Sequence, residues 1–535
     1  MADISSENSG KISRRDFIKL AALTAAGLGS GVVARERITF SVEQKIDMNN
    51  HLSKITGPNG RQEYTPNFES LRSFFPDVVK KTESGGYFLK NDAENPIILD
   101  FSNAADKEIR FFPNKTESAL SNISWEDARQ KSGFQEVTAG LILEGEFNVQ
   151  GNLFSPPIFM GDGLDRIINF KGSGKENCKV EDIVFKGLNP FKQDASKKGG
   201  DCPSPAFIAG DNMNLEVSGI RINYDIAKPN DLDETNSQLA KGIILHNTEN
   251  SRPLELKVRS SRIQGLEWDG ICSNGFVKIN VDNSHLIQNR KYKHERGVGI
   301  ASTFNSPDGS IKINRSTIDY CKGTSIWVNQ DLKPSTTTNL TITDTVINNS
   351  AWAISVEDVA DQKVIIDKLK IVPDWDGTAQ QDLNYWPLDF IHKGMKFDLS
   401  FNTIEFDLTP EVGSYARLLG QGSFKSFENL SDTTPIDFFK NNITKWGDIA
   451  INIQYAGEPK QKFTLTKDSF FDFLSNLKPE DKLNGGCVLM NFDIEKREFG
   501  VMLGTNFDSQ TGMINVSEPF YVKPAIEKAE PDKAR

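Results

Sequence analysis

Apolar residues return at a nearly fixed interval through the middle of the chain. The segments GIILHN (Gly242–Asn247), GICSNG (Gly270–Gly275), GIASTF (Gly299–Phe304), SIWVNQ (Ser325–Gln330) and AISVED (Ala353–Asp358) share one pattern, and their isoleucines at 243, 271, 300, 326 and 354 are 28, 29, 26 and 28 residues apart. A second set has apolar residues at matching places: LEVSGI (Leu215–Ile220), IKINRSTI (Ile311–Ile318), LTITDTVI (Leu340–Ile347), IDKLKI (Ile366–Ile371) and LSFNTI (Leu399–Ile404). Apolar and polar residues alternate within these segments, which is the period of a strand. The stretches between them, such as Lys333–Asn339 (KPSTTTN), cannot make an amphipathic helix. Strands recurring every ~25–30 residues predict a solenoid, in which each coil covers the apolar face of the next.

The alternation also sorts inside from outside. With Ile243, Ile271, Ile300, Ile326 and Ile354 inward, Leu245, Ser273, Ser302, Val328 and Val356 are inward too. Ile244, Cys272, Ala301, Trp327 and Ser355 then form one outward row, and His246, Asn274, Thr303, Asn329 and Glu357 the next. Coils stack ~4.8 Å apart, so the second row is expected to be a straight polar line on an exposed face. It has two readings, a stacked amide ladder that closes turns, and a groove for an extended polysaccharide with Trp327 as the plate for a sugar ring.

The flanks differ in character. Residues 1–34 read as an export signal: Ser13-Arg14-Arg15-Asp16-Phe17-Ile18-Lys19 matches the twin-arginine motif, an uncharged stretch Leu20–Ala34 follows, and Val32-Val33-Ala34 offers a cleavage site. Arg14 and Arg15 would engage the twin-arginine export machinery, and a periplasmic or extracellular location is expected. Retention of the signal as an anchor is the alternative, since no other apolar run reaches the ~20 residues of a membrane helix. Residues 35–135 read as a leader and amino-terminal cap with helices near Asn67–Phe75 and Trp125–Lys131, and 136–456 as the solenoid, beginning near Leu141–Gln150. Residues 457–535 read as a carboxy-terminal cap, with a helix at Asp468–Leu477, strands at Gly486–Asn491 and Glu498–Gly504, and a charged mobile tail at Ala525–Arg535.

On this repeat form, from Leu141 to Gln454, the chain resembles the right-handed parallel β-helix proteins of the pectate-lyase-like superfamily. The resemblance implies an all-β, right-handed parallel β-helix solenoid with amino- and carboxy-terminal caps. It rests on repeat form and specifies the fold far better than an activity; the expected activity, β-elimination on an acidic polysaccharide as partner, is read from the loops instead.

The residues that suit this chemistry lie in the segments entering the first set of strands. Gln288–Arg296 (QNRKYKHER) packs Arg290, Lys291, Lys293, His294 and Arg296 around Tyr292 and Glu295, and Asp269 precedes the second strand. In β-elimination a cation must neutralise the uronate carboxylate, a base removes the proton on C5, and an acid protonates the leaving oxygen. Arg296 and Lys293 are candidates for the first role, Lys291, Tyr292 or His294 for the proton transfers, and His246, Asn274, Trp327, Asn329 and Glu357 for sugar binding. The bland reading of the same loop is a solvated charge run.

Hydrolysis would need two carboxylic acids on one face, for which Asp269 with Glu295 or Glu357 are available. Trp268-Asp269-Gly270-Ile271 resembles one motif of polygalacturonase-like hydrolases, but the paired aspartates of the next coil and the Gly-His-Gly and Arg-Ile-Lys segments are absent. The Asp-Pro-His signature of alginate epimerases is absent too. A rival from another class is a non-catalytic β-helix for surface binding or envelope structure.

Charge and cysteine usage narrow this further. A net charge of −11 over 535 residues argues against a general nucleic-acid binder. The five cysteines lack CxxC spacing, so neither a zinc site nor a disulfide framework is indicated. No calcium-binding aspartate cluster of the pectate-lyase type stands out, although Asp225, Asp231, Asp233 and Glu234 could contribute ligands to a calcium ion.

Overall fold

The computed structural model describes residues 44–528 apart from 59, 83–84, 94, 113–114, 121–133, 163, 190–205, 224–239, 248–251, 267–268, 289–297, 305–308, 322–323, 331–337, 351, 358–361, 374–386, 393–396, 409–414, 424–445, 478–486 and 509–512. The expected signal with Arg14 and Arg15, the helix near Trp125–Lys131 and the acidic loop Asp231–Glu234 lie outside the described residues. No described helix is long and apolar enough to cross a membrane.

The chain is an all-β solenoid of parallel strands in three columns. One column contains the repeat isoleucines: Ile243 pairs with Ile271, Ile271 with Ile300, Ile300 with Ile326 and Ile326 with Ile354, all in parallel register. The second stacks Leu215, Leu256, Ile279, Ile311 and Leu340. The third stacks Ile222, Ile263, Leu286, Ile318 and Ile347. These are called below the Ile243, Leu256 and Ile263 columns. All these residues belong to one continuous apolar core running inside the coils. Toward the amino-terminal end the filler is aromatic, with Phe101, Phe159, Phe185 and Phe207 at successive centroid distances of 4.9, 5.7 and 6.1 Å.

The inward assignment from alternation holds, including its two polar members. Ser273 and Ser302 are fully buried and hydrogen-bond each other at 2.7 Å across adjacent coils. One hydroxyl donates and the other accepts, so each has a partner and the core tolerates both.

The glycines of the repeat have a steric cause. A Cβ on Gly242 would lie 2.4 Å from the Gly270 carbonyl oxygen, and one on Gly299 would lie 2.6 Å from the Ser325 carbonyl oxygen and 2.8 Å from Ile318 Cγ2. At this corner each coil presses its backbone on the next. Gly299→Ala is expected to destabilise the fold by about 2–4 kcal/mol. Equilibrium denaturation measures this, and a change within ~0.5 kcal/mol would rule out the steric account.

The turn between the Leu256 and Ile263 columns is equally regular. Asp182, Gly219, Ser260, Asn283, Arg315, Asp344 and Lys368 occupy successive coils there, all with positive φ between 44° and 63°. That region is uncommon for non-glycine residues, and the residue that follows helps to pin it. The buried hydroxyls of Ser261, Ser284, Ser316 and Thr345 each donate to the carbonyl two residues earlier, at 2.8–3.0 Å. Ser284 and Ser316 also accept the backbone N–H of Ser261 and Ser284 in the preceding coil, at 3.3 and 3.2 Å.

Both ends are closed. Parallel stacking includes Gln44–Asp47 and Ile97–Asp100, which lie within the stretch read as amino-terminal cap. A helix spans Phe68–Phe74, with the Asn67 side chain accepting the Ser70 N–H at 2.9 Å. At the other end Gln461–Leu465 runs antiparallel to the last strand, Asp448–Ile453. The helix Lys467–Asn476 buries Phe470 and Leu474, and Phe470 stacks on Trp446 at 5.2 Å. Cys487–Asp493 and Glu498–Asp508 close the Ile243 column as antiparallel strands. These elements cover strand edges that could otherwise pair with another chain. The expected mobile tail is corrected at its start: Ala525–Lys528 is a strand on Gln461–Leu465, although Ile526 stays 63% exposed.

Candidate functional site

Connection lengths single out one corner. Between Arg166 and Leu408 four gaps between successive described strands exceed ten residues: those from Asn189 to Ala206, Asn223 to Lys241, Gln288 to Ile300 and Pro373 to Leu388. All four lead from the Ile263 column into the Ile243 column. Long connections on a rigid scaffold are the usual carriers of function, and these four precede strands of the Ile243 column.

In the coils whose side chains are described, that face is not the open polar surface expected from the register. Ala206, Ala209, Ile244, Cys272 and Ala301 form an apolar cluster at 4% exposure or less, with Val298 and half-buried Trp327 packed against it. His246 is 3% exposed and Ser355 6%. Asn274 is half-buried. Asn274 also breaks the simple amide ladder, since it bonds the His246 ring of the preceding coil. For Thr303, Asn329 and Glu357 the backbone register is as expected, but their side chains lie outside what the structure describes.

Charges are buried on this face in the first coils. Register places Arg166, Ala206 and Lys241 in one row and Lys171, Asp211, His246 and Asn274 in another. Arg166, only 1% exposed, donates from Nη1 to Asn169 Oδ1 at 2.7 Å and lies 3.4 Å from Asp211 Oδ2. Lys241, 4% exposed, is paired with Asp269 at 2.9 Å, and its Nζ is 3.4 Å from Cys272 Sγ. Burial opposes the charge on Lys241, but the Asp269 carboxylate and the Cys272 sulfur outweigh it and hold the pKa above the ordinary lysine value.

His246 sits among these groups as a neutral ring. Burial, and then the positive charges of Arg166 and Lys241, hold its pKa well below the usual histidine value. Asn274 Nδ2 faces His246 Nδ1 at 3.3 Å; with the amide so oriented it donates, which assigns the ring proton to Nε2. Nε2 is buried with no hydrogen-bond partner among the described residues. A neutral imidazole N–H beside two cations is a donor set for an anionic oxygen.

Of the residues expected from sequence, the structure brings His246, Asn274 and Asp269 together with Lys241, and places Trp327 further along the same face. Lys291, Tyr292, Lys293, His294 and Arg296 lie outside the described residues; the strands that flank them end at Gln288 and begin at Ile300. Asp269, expected to face that loop, has its carboxylate on Lys241 of the preceding coil. Among the described residues no group of three or more His, Cys, Asp or Glu could hold a metal, and Asp225, Asp231, Asp233 and Glu234 are outside them.

Arg166, Asn169 and Asp211 were missed by the repeat search. Their strands carry Ile168 and Ile208, which stack on Ile243, but long insertions stretch the steps to 40 and 35 residues and hide the period. Comparison of the chain with protein-family models, with curated proteins and with solved structures finds no match, so the fold and the site geometry carry the functional argument.

Proposed function

We propose that this is an exported, carbohydrate-active β-helix protein that cleaves an acidic, uronate-containing polysaccharide by β-elimination at the corner of the Ile243 column. The observation that carries the reading is the buried donor set of Arg166, Lys241 and neutral His246, whose Nε2 has no hydrogen-bond partner among the described residues. A structural ladder has no need of an unpartnered buried imidazole, which costs stability. The twin-arginine motif at Arg14 and Arg15 supports export.

In the reaction, Lys241, Arg166 and His246 Nε2–H would stabilise the uronate carboxyl as charge grows on it. A base from the Gln288–Arg296 connection, Lys291, Tyr292 or His294, takes the proton from C5. The C5–H electron pair forms the C4–C5 double bond, the bond from C4 to the glycosidic oxygen breaks, and that oxygen leaves with a proton from a second group of the connection. Lys293 and Arg296 add positive charge for the neighbouring uronates, and Trp327 with Asn274, Asn329 and Glu357 continues the face along the polymer.

The purified mature chain should therefore generate the ultraviolet absorbance of an unsaturated uronate from at least one member of a panel of uronate polymers, with and without calcium. No absorbance change on any of them would reject elimination and favour the second reading, a non-catalytic envelope or surface-binding β-helix. One observation favours that reading: Lys241 and Arg166 are already engaged by Asp269 and Asp211. Release of reducing ends without unsaturation would instead indicate hydrolysis.

A further inference from the structure

A different corner of the solenoid, the turn between the Leu256 and Ile263 columns, carries an open cleft of about 310 Å³. Its lining includes Arg221, Arg262, His285 and Arg315, with the polar side chains of Ser260 and Asn283 between them, and contains neither Asp nor Glu. This absence stands out in a chain where acidic residues outnumber basic ones by 73 to 62.

The four basic residues come from four successive coils. Arg221 pairs in register with Arg262 and Arg262 with His285. Arg315 lies in the left-handed turn of the next coil, two residues before Thr317, which pairs with His285. At ~4.8 Å per coil the row extends over roughly 14 Å. Its charges are compensated unequally. Arg315 makes a bidentate contact with Asp282 at 2.8 and 2.9 Å, and His285 contacts Asp319. Arg262 donates from Nε to the neutral Gln264 side chain at 2.9 Å, and neither Arg221 nor Arg262 has a carboxylate partner among the described residues.

Two uncompensated guanidinium groups on adjacent coils, with two more basic groups in line, suit a string of anions better than a single one. Guanidinium forks match carboxylates in a bidentate way. The side chains of Ser260 and Asn283 supply hydrogen-bond partners for sugar hydroxyls, and no Phe, Tyr or Trp lines the cleft for the base stacking that single-stranded nucleic acid uses. We infer that this cleft is a second, non-catalytic binding site that holds successive carboxylates of an extended acidic polysaccharide across the coils. The inference rests on the acidic-polymer reading above, but it concerns a separate corner of the molecule. Its role is to anchor the polymer while the Ile243 face works elsewhere along it.

The test uses the full mature chain and oligogalacturonates from dimer to octamer, with neutral oligosaccharides of equal length as controls, and binding is measured by calorimetry at low and raised salt. Affinity should rise with length until the row is filled and fall with salt. The Arg221→Ala, Arg262→Ala double variant should bind the longer oligomers about tenfold more weakly, as expected for two exposed charge-assisted contacts. Lysine at both positions should restore part of the loss. Both arginines are exposed, and an unchanged melting temperature separates lost binding from lost fold. Elimination from a short substrate should be the same in the double variant and the wild type, so absence of elimination in both leaves the binding result to be judged alone. Unchanged affinity in the double variant would overturn the site. Equal binding of neutral oligomers, or tighter binding of free phosphate, sulfated polymer or a single-stranded oligonucleotide, would overturn the ligand assignment.

Discussion

His246→Phe is expected to lower kcat for elimination by about 10²–10³, the usual cost of removing one preorganised donor to a developing oxyanion. Phe keeps a flat ring in place but is larger than imidazole, so an unchanged melting temperature must accompany the loss. Retention of full activity would remove His246 from the mechanism. The same variant has a signature that does not depend on activity. In the folded chain the His246 pKa is held well below its ordinary 6.5 by burial and by Arg166 and Lys241, with Asp211 and Asn274 the other polar groups beside it. Below pH 6.5 the unfolded chain therefore binds a proton that the folded chain refuses, so the histidine destabilises the fold as pH falls. The slope approaches ~1.4 kcal/mol per pH unit until the folded pKa is reached. His246→Phe should lose this slope. His51, whose pKa burial also lowers, is present in both proteins and cancels in the difference. Identical pH profiles for variant and wild type would mean that His246 is accessible to protons in the native state.

Asp269→Asn is expected to destabilise the fold by about 3–5 kcal/mol, because it leaves the Lys241 ammonium, 4% exposed, without its carboxylate. Urea denaturation of the purified chain measures the loss. A change below ~1 kcal/mol would show that the pair behaves like an exposed one. Removing both charges, as Lys241→Met with Asp269→Leu, should recover much of the stability, since a buried ion pair is often worth no more than the apolar contact that replaces it. If the double variant is stable but inactive, the pair is kept for chemistry; if it is stable and active, the pair is an internal strut.

Much of the solenoid could be read from residue order. The repeat isoleucines, the inward row and the helix near Asp468–Leu477 all follow from local periodicity, and each element carries its own evidence. What failed was the outer face. Alternation says which side of a strand a residue occupies, but not whether that side is wet. Ile244, Cys272 and Ala301 were already too apolar for an open groove, and that was the available signal. Arg166 and Asp211 were hidden because insertions of unequal length broke the period, although their strands stack in perfect order. The basic row from Arg221 to Arg315 was invisible for a similar reason: its members are 41, 23 and 30 residues apart, and only the coil register makes them neighbours.

Residue order alone dictates the coil, since a strand that alternates once per residue and recurs once per turn can bury its apolar side only against a copy of itself. It also determined which residue types enter the Ile243 column and where the insertions fall. Tertiary structure decided which charges meet. Asp269 with Lys241, Asp211 with Arg166, and Arg221 with Arg262 are contacts between coils, set by a separation of ~4.8 Å through space that has no fixed counterpart along the chain. Whether a charge is paired, neutral or left for a ligand depends on those contacts and on burial, and both exist only once the coils have stacked.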